Sequence, residues 1–334
     1  MATSGDELME FQHLANRVLE GDAITRDEAR GILTSPDEAL MPLLEAALRL
    51  REKAFGRDVI LHVLRNAKSG ACPEDCNFCS QSTKYQTDVD RYRIQTVEEL
   101  ITGAREAYSM GATRYCMVTS TRAPSAKELA VVCEATRQIK SEMPLQICTS
   151  LGFLDGNSAL QLAAAGVDRF NHNLETSEKH FPSVVSSHSY QDRVDTVQAA
   201  KDAGMQACSG GIIGLGETID DRVELAFSLR ELSVESIPLN FLDPRPGTPM
   251  AETERPTTED CLRTLAMMRF VNPESDLRIA GGREKALGDK QALALYPANS
   301  LFTEGYLTTG GQGYNADLEM IEAAGFRVSV VMPH

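Results

Sequence analysis

"RYCMVTSTRAPSAKELAVVCEATRQIKSEMPLQICTSL", residues 114–151, sets two short apolar runs on either side of an amphipathic segment. The runs "RYCMVTS" (114–120) and "LQICTSL" (145–151) have the length and the aromatic and β-branched content of strands. Between them Ser125-x-x-Glu128 forms a capping box, in which a hydroxyl and a carboxylate satisfy the first free N–H groups of a helix. Strand, helix and strand joined in this way give a parallel pair with a right-handed crossover.

The same rhythm continues in both directions. Further strand-like runs are "VILHVL" (59–64), "RFNHNLE" (169–175), "QACSGGIIGL" (206–215), "SIPLNFL" (236–242), "LRIAGG" (277–282) and "SLFTEGY" (300–306). Thr96-x-x-Glu99 starts another helix, and Gly111, Gly166 and Gly204 stand where helices must stop in the left-handed region before the next strand. Eight alternating units predict an α/β fold of the (β/α)8 TIM type, since such barrels run to about 250 residues. A doubly wound open sheet is the competing arrangement, and the even spacing favours closure.

Residues 1–57 read as an N-terminal helical extension. Thr25-x-x-Glu28 is a capping box, Ser35-Pro36-Asp37-Glu38 combines an N-cap with Pro at N1, and the last helix stops at Gly56. Residues 58–334 read as one barrel domain with a C-terminal tail, because no Pro/Gly/Ser linker divides them.

Composition narrows the function. The 334 residues carry a formal net charge of −15, which argues against nucleic acid or anionic membranes as partners. No apolar run reaches the roughly 18 residues of a membrane span. "MATSGDELMEFQ" has neither an apolar signal core nor an Arg-rich amphipathic stretch, so a cytoplasmic location is expected. Eight cysteines are too sparse for a disulfide scaffold, and clustered thiols in a reducing compartment point to metal or redox chemistry.

Three of those thiols, Cys72, Cys76 and Cys79, lie in "GACPEDCNFC" (70–79) at the spacing C-x3-C-x2-C. The stretch follows the first strand, at the end of a barrel where active sites are built. A structural zinc site needs four N/S ligands, and no local fourth is present. A [4Fe–4S] cluster held by three thiolates leaves one iron open. Of the remaining cysteines, Cys133 and Cys261 fall in helical patterns and read as buried core residues. Cys116, Cys148 and Cys208 each sit in a different strand, where inward side chains could converge on the barrel axis; three unrelated core thiols are the alternative. Asn171, Asn173 and Glu175, spaced by two, would share one face of a regular strand.

The triplet with Phe78 before its last cysteine resembles the signature of the radical S-adenosylmethionine superfamily. "RFNHNLETS", "SSHSYQDRVDTV", "CSGGIIGLGET", "SIPLNFLDPRPGTP", "LRIAGGRE" and "ANSLFTEGYLTT" together resemble the biotin synthase family through most of residues 58–310. That resemblance implies a homodimer that converts dethiobiotin to biotin, with flavodoxin or ferredoxin as electron donor. It implies a [4Fe–4S] cluster on Cys72, Cys76 and Cys79, whose open iron takes S-adenosylmethionine, and a [2Fe–2S] cluster on Cys116, Cys148, Cys208 and Arg278. Asn173 and Glu175 would contact the cofactor's ribose and Arg193 its methionyl carboxylate; Asn171, Asn173 and Asn240 would face dethiobiotin. Some relatives carry Asp where this chain has Glu175. The implied chemistry is hydrogen abstraction by a 5′-deoxyadenosyl radical, followed by sulfur transfer from the second cluster. Competing readings are a radical enzyme of hydrogenase-maturase or methylornithine-synthase type, and a zinc-bound non-catalytic protein.

Overall fold

The computed structural model describes residues 4–307 and 310–329, with side chains from residue 10 onward. Thr308 and Thr309, the end of "ANSLFTEGYLTT", lie outside the described residues, as do residues 1–3 and 330–334. Ten strands occur among the described residues: β1 (Asp58–Lys68), β2 (Arg114–Thr119), β3 (Gln146–Ser150), β4 (Arg169–Asn171), β5 (Gln206–Cys208), β6 (Gly211–Ile213), β7 (Ser236–Phe241), β8 (Asp276–Ile279), β9 (Ser300–Thr303) and β10 (Arg327–Val328). The helices are α1 (Ser4–Leu19), α2 (Arg26–Leu33), α3 (Leu40–Phe55), α4 (Val97–Ser109), α5 (Ala126–Glu142), α6 (Gly156–Ala165), α7 (Tyr190–Asp202), α8 (Ile219–Glu231), α9 (Thr258–Val271), α10 (Arg283–Leu287) and α11 (Tyr314–Ala323).

All strand pairs are parallel, in the order β1-β2-β3-β4-β5-β7-β8-β9, and β1 pairs with β9 to close the ring. β5 and β6 share one position of the ring, and β10 pairs only with Asp58 and Val59 of β1. The result is the eight-position barrel expected from the alternation, not an open sheet.

The fifth run, read as one strand over 206–215, is broken at Ser209 and Gly210. A Cβ on Gly210 would sit 1.9 Å from the Pro238 carbonyl oxygen. Only a bare backbone passes that close, and Pro238 has no N–H to continue the ladder there. The capping boxes at Thr25, Thr96 and Ser125 form as expected. Ser35 does not cap: its hydroxyl donates back to the Ile32 carbonyl at 2.9 Å, and a 3-10 turn over Asp37–Ala39 precedes α3.

Helices α1–α3 cover one flank of the barrel. Leu43, Leu44 and Leu50 of α3 share a core with Leu262, Leu265 and Met268 of α9, each leucine contributing about 1.5–3 kcal/mol by burial. Arg51, fully buried, ties this layer to the barrel through the carbonyls of Asp58 at 2.8 Å and Ala298 at 3.3 Å. Burial pushes its guanidinium down to about 10. Among the described residues no helix is long and apolar enough to cross a membrane.

Candidate active site

Alternation along the strands stacks the barrel interior in layers. The floor is polar and charged. Asp276, at the start of β8, accepts from Arg114 of β2, from Arg169 of β4 at 3.1 Å and from Ser300 of β9 at 2.6 Å. Asn299 at 3.0 Å and Ser236 of β7 at 3.3 Å complete its partners. Burial alone would raise the Asp276 carboxyl, but Arg114 and Arg278 hold it well below the usual carboxylate range. His62 of β1 lies against this group and stays neutral, because burial pushes it well below its ordinary value.

Two residues further along the strands comes the thiol layer. Cys116 and Cys148 are register partners on β2 and β3 and pack in one buried cluster, and all three strand cysteines lie close enough to Arg278 to act on its charge. The three strand cysteines therefore converge. Arg278 reaches the same point from β8: its Nη2 donates to Ser236 Oγ at 2.5 Å and lies 3.5 Å from Cys208 Sγ. The guanidinium carbon sits 4.9 Å from the Phe302 ring centre, and Nε is buried with no partner among the described residues. Burial pushes the Cys208 thiol well above its ordinary value.

This charge balance tests whether the donors suit an iron–sulfur centre. Arg114, Arg169 and Arg278, all buried or nearly so, stand against one carboxylate. Surplus buried cations are costly unless an anion lies beside them. A thiolate-held iron–sulfur centre is such an anion, so the donors and the floor fit it. Among the described residues no three His, Cys, Asp or Glu side chains are arranged around one ion.

Above the thiols opens a cavity of about 300 Å³, lined by Asn171, Asn173, Glu175, Arg193 and Asn240 and, at its rim, by Cys72, Cys76 and Cys79. Cys116 lines the same space, whereas Cys148, Cys208 and Arg278 are buried outside its lining. The regular-strand premise for 169–175 fails beyond Asn171: β4 ends there, and Glu175 has a left-handed φ of 70°. The loop nonetheless turns Asn173 and Glu175 inward, with Asn173 Nδ2 3.3 Å from Glu175 Oε2. Burial raises the Glu175 carboxyl, against the pull of Arg193 and Asn173. Of the stretch "GGIIGLGE", Ile212 lines the cavity. Cys133 and Cys261 are buried in the helical layers, as expected.

At the rim the thiols are half-buried. Burial raises Cys72 and Cys76 and pushes Cys79 up to about 11. The acidic pair inside the motif, unexplained by spacing, clamps the segment ahead of α7. Asp75 accepts from the Ser186 and Ser187 N–H groups at 3.1 and 2.9 Å. Glu74 takes the Ser187 hydroxyl and His188 Nδ1, each at 2.5 Å, and Arg122 at 2.7 Å. His188 in turn meets Arg193 Nε at 3.1 Å. Arg193 also donates to the Asn173 carbonyl at 2.8 Å and lies 3.4 Å from Glu175 Oε1.

A closed parallel barrel with this thiol triplet at the mouth of its cavity defines the radical S-adenosylmethionine class, and residues 67–229 match the model of the Radical SAM superfamily. Residues 238–327 match the Biotin and Thiamin Synthesis associated domain. A biotin synthase of Salinibacter ruber is 54% identical over 96% of this chain and 89% of its own, and one of Anoxybacillus flavithermus is 46% identical over 96% and 97%. The chain belongs to the biotin synthase family. Among solved structures, methylornithine synthase superimposes with a TM-score of 0.84 at 20% identity, over 95% of this chain and 97% of that one. An FeFe-hydrogenase maturase from Carboxydothermus hydrogenoformans gives 0.79 at 15% identity, over 99% and 86%. At such identities the likeness is one of fold.

Proposed function

We propose that this chain inserts sulfur into dethiobiotin to form biotin, acting as a radical S-adenosylmethionine sulfurtransferase with two iron–sulfur clusters. The observation that supports this reading is a second set of buried strand thiols, of which Cys116 lines the same amide-bearing cavity that the first triplet borders at its rim. Cys72, Cys76 and Cys79 would hold the [4Fe–4S] cluster; Cys116, Cys148 and Cys208, with Arg278, would hold the [2Fe–2S] cluster. When bound, the first with S-adenosylmethionine supplies a hydrogen-abstracting radical and the second supplies sulfide.

The protein's part is binding and orientation. Asn173 and Glu175 would take the ribose hydroxyls, and Arg193 the methionyl carboxylate, a natural guanidinium target. Asn171, Asn173 and Asn240 would face the ureido ring of dethiobiotin. Two backbone contacts fix the Asn240 amide in the wall, where Nδ2 donates to the Gly211 carbonyl at 3.2 Å and Oδ1 accepts from Gly281 N–H at 2.8 Å. A flavodoxin or ferredoxin donor and a homodimer rest on the family resemblance.

The second triplet argues against a maturase or methylornithine-forming activity. Anaerobic reconstitution followed by incubation with dethiobiotin, S-adenosylmethionine and a reductant tests the proposal. About six irons per chain and reductant-dependent biotin are expected. Zinc without iron, or both clusters without biotin, would refute it.

A further inference from the structure

Arg193 spans the cluster loop and the cavity wall, with Nη1 on the Asn173 carbonyl and Nη2 3.9 Å from Cys76 Sγ. Its Nε faces His188. Arg193 Nε can only donate, so the His188 Nε2 that it meets at 3.1 Å must be an acceptor. The ring proton is then on Nδ1, which faces Glu74 Oε2 at 2.5 Å. Glu74, His188 and Arg193 therefore form a relay of fixed polarity from the loop between Cys72 and Cys76 to the cavity. The arrangement repeats the logic of carboxylate–histidine–metal triads, in which a carboxylate sets the tautomer and aim of the ring. Here a guanidinium stands in the metal's place. The aromatic rings of Phe153 and Phe181, with centroids 4.9 and 5.6 Å from that of His188, pack against the imidazole and hold its plane.

We infer that His188, oriented by Glu74, is the positioning residue that aims Arg193 at the carboxylate of the bound S-adenosylmethionine. The inference rests on the cofactor site proposed above. Two isosteric amides separate positioning from mere support. Gln places its amide oxygen where Nε2 lies and can still accept from Arg193; Asn places its amide where Nδ1 lies, reaching Glu74 but not Arg193.

In the reconstituted full-length chain, S-adenosylmethionine is titrated and its binding read from the electron paramagnetic resonance signal of the reduced rim cluster, with iron per chain measured in parallel. His188→Asn should weaken binding by about tenfold with iron content unchanged, whereas His188→Gln should stay within about threefold of the parent. Equal affinity of the Asn variant and the parent, or equal losses in both variants, overturns the inference while leaving the cofactor site intact. A parent chain with full iron and no response to S-adenosylmethionine overturns the cofactor site itself, and this inference with it.

Discussion

Replacing Asp276 by Asn keeps the size of the side chain and removes its charge. In the parent, that carboxylate is the common partner of Arg114 and Arg169 and reaches Arg278 through the Ser236 hydroxyl. All three guanidinium groups are then left without a counter-charge in the floor. Breaking a buried ion network by removing one partner costs about 3–5 kcal/mol, because the remaining charges stay buried and unpaired. For 334 residues, at about 2.1 cal/mol/K per residue, this corresponds to a Tm lowered by roughly 4–7 °C. Urea and thermal unfolding of the metal-free, reduced chain measure it. The control is the double variant Asp276→Asn with Arg169→Gln, which removes one surplus cation along with the carboxylate. It should recover more than about 1 kcal/mol relative to additive losses. A single variant within about 1 kcal/mol of the parent, or strict additivity in the cycle, would show that the arginines are compensated elsewhere and that the floor is not one electrostatic unit.

The two triplets should fail separately: Cys76→Ala should lose about four irons and S-adenosylmethionine cleavage, whereas Cys148→Ala should lose about two and spare some cleavage while biotin formation stops. Equal loss of cleavage in both contradicts the division. Asp75→Ala removes the clamp on Ser186 and Ser187 and should speed iron release from the rim site on chelation, leaving the far-UV circular dichroism unchanged; parental release kinetics would mean that the loop needs no clamp. Gly210→Ala forces a Cβ against the Pro238 carbonyl and should destabilise by about 1–3 kcal/mol or more, as overpacking does. Gly31→Ala, inside α2 with open space around it, should stabilise by about 0.5–1 kcal/mol in the same urea assay.

How far the sequence reveals this molecule depends on the range of the interaction involved. Strand alternation, capping boxes and glycine stops are local, and they delivered the barrel and its helices. Cys116, Cys148 and Cys208 were visible as candidates because each lies within a strand run, although their convergence needed the closed ring. The break at Gly210 was hidden, since only the approach of Pro238 from the neighbouring strand explains it. Glu175 looked like the third member of a regular face, and its left-handed backbone has no signature in a residue that is not glycine. Glu74, Asp75 and His188 were missed because the partners lie more than a hundred residues apart and meet only through the fold.

The charged floor also has a signature in the sequence. Arg114 precedes Cys116 by two residues and Asp276 precedes Arg278 by two, so strand periodicity places each charge on the same inward face, one layer deeper than a thiol-layer residue. Read singly, they look like the polar flanks of strand ends. Read together, they put three arginines, one aspartate and a neutral histidine inside a barrel, an arrangement that hydrophobic burial cannot explain. A surplus of buried positive charge requires an anion next to it, and the adjacent layer contains three thiols. Alternation and the cost of burying charge thus favour a negatively charged group at the level of Cys116, Cys148 and Cys208.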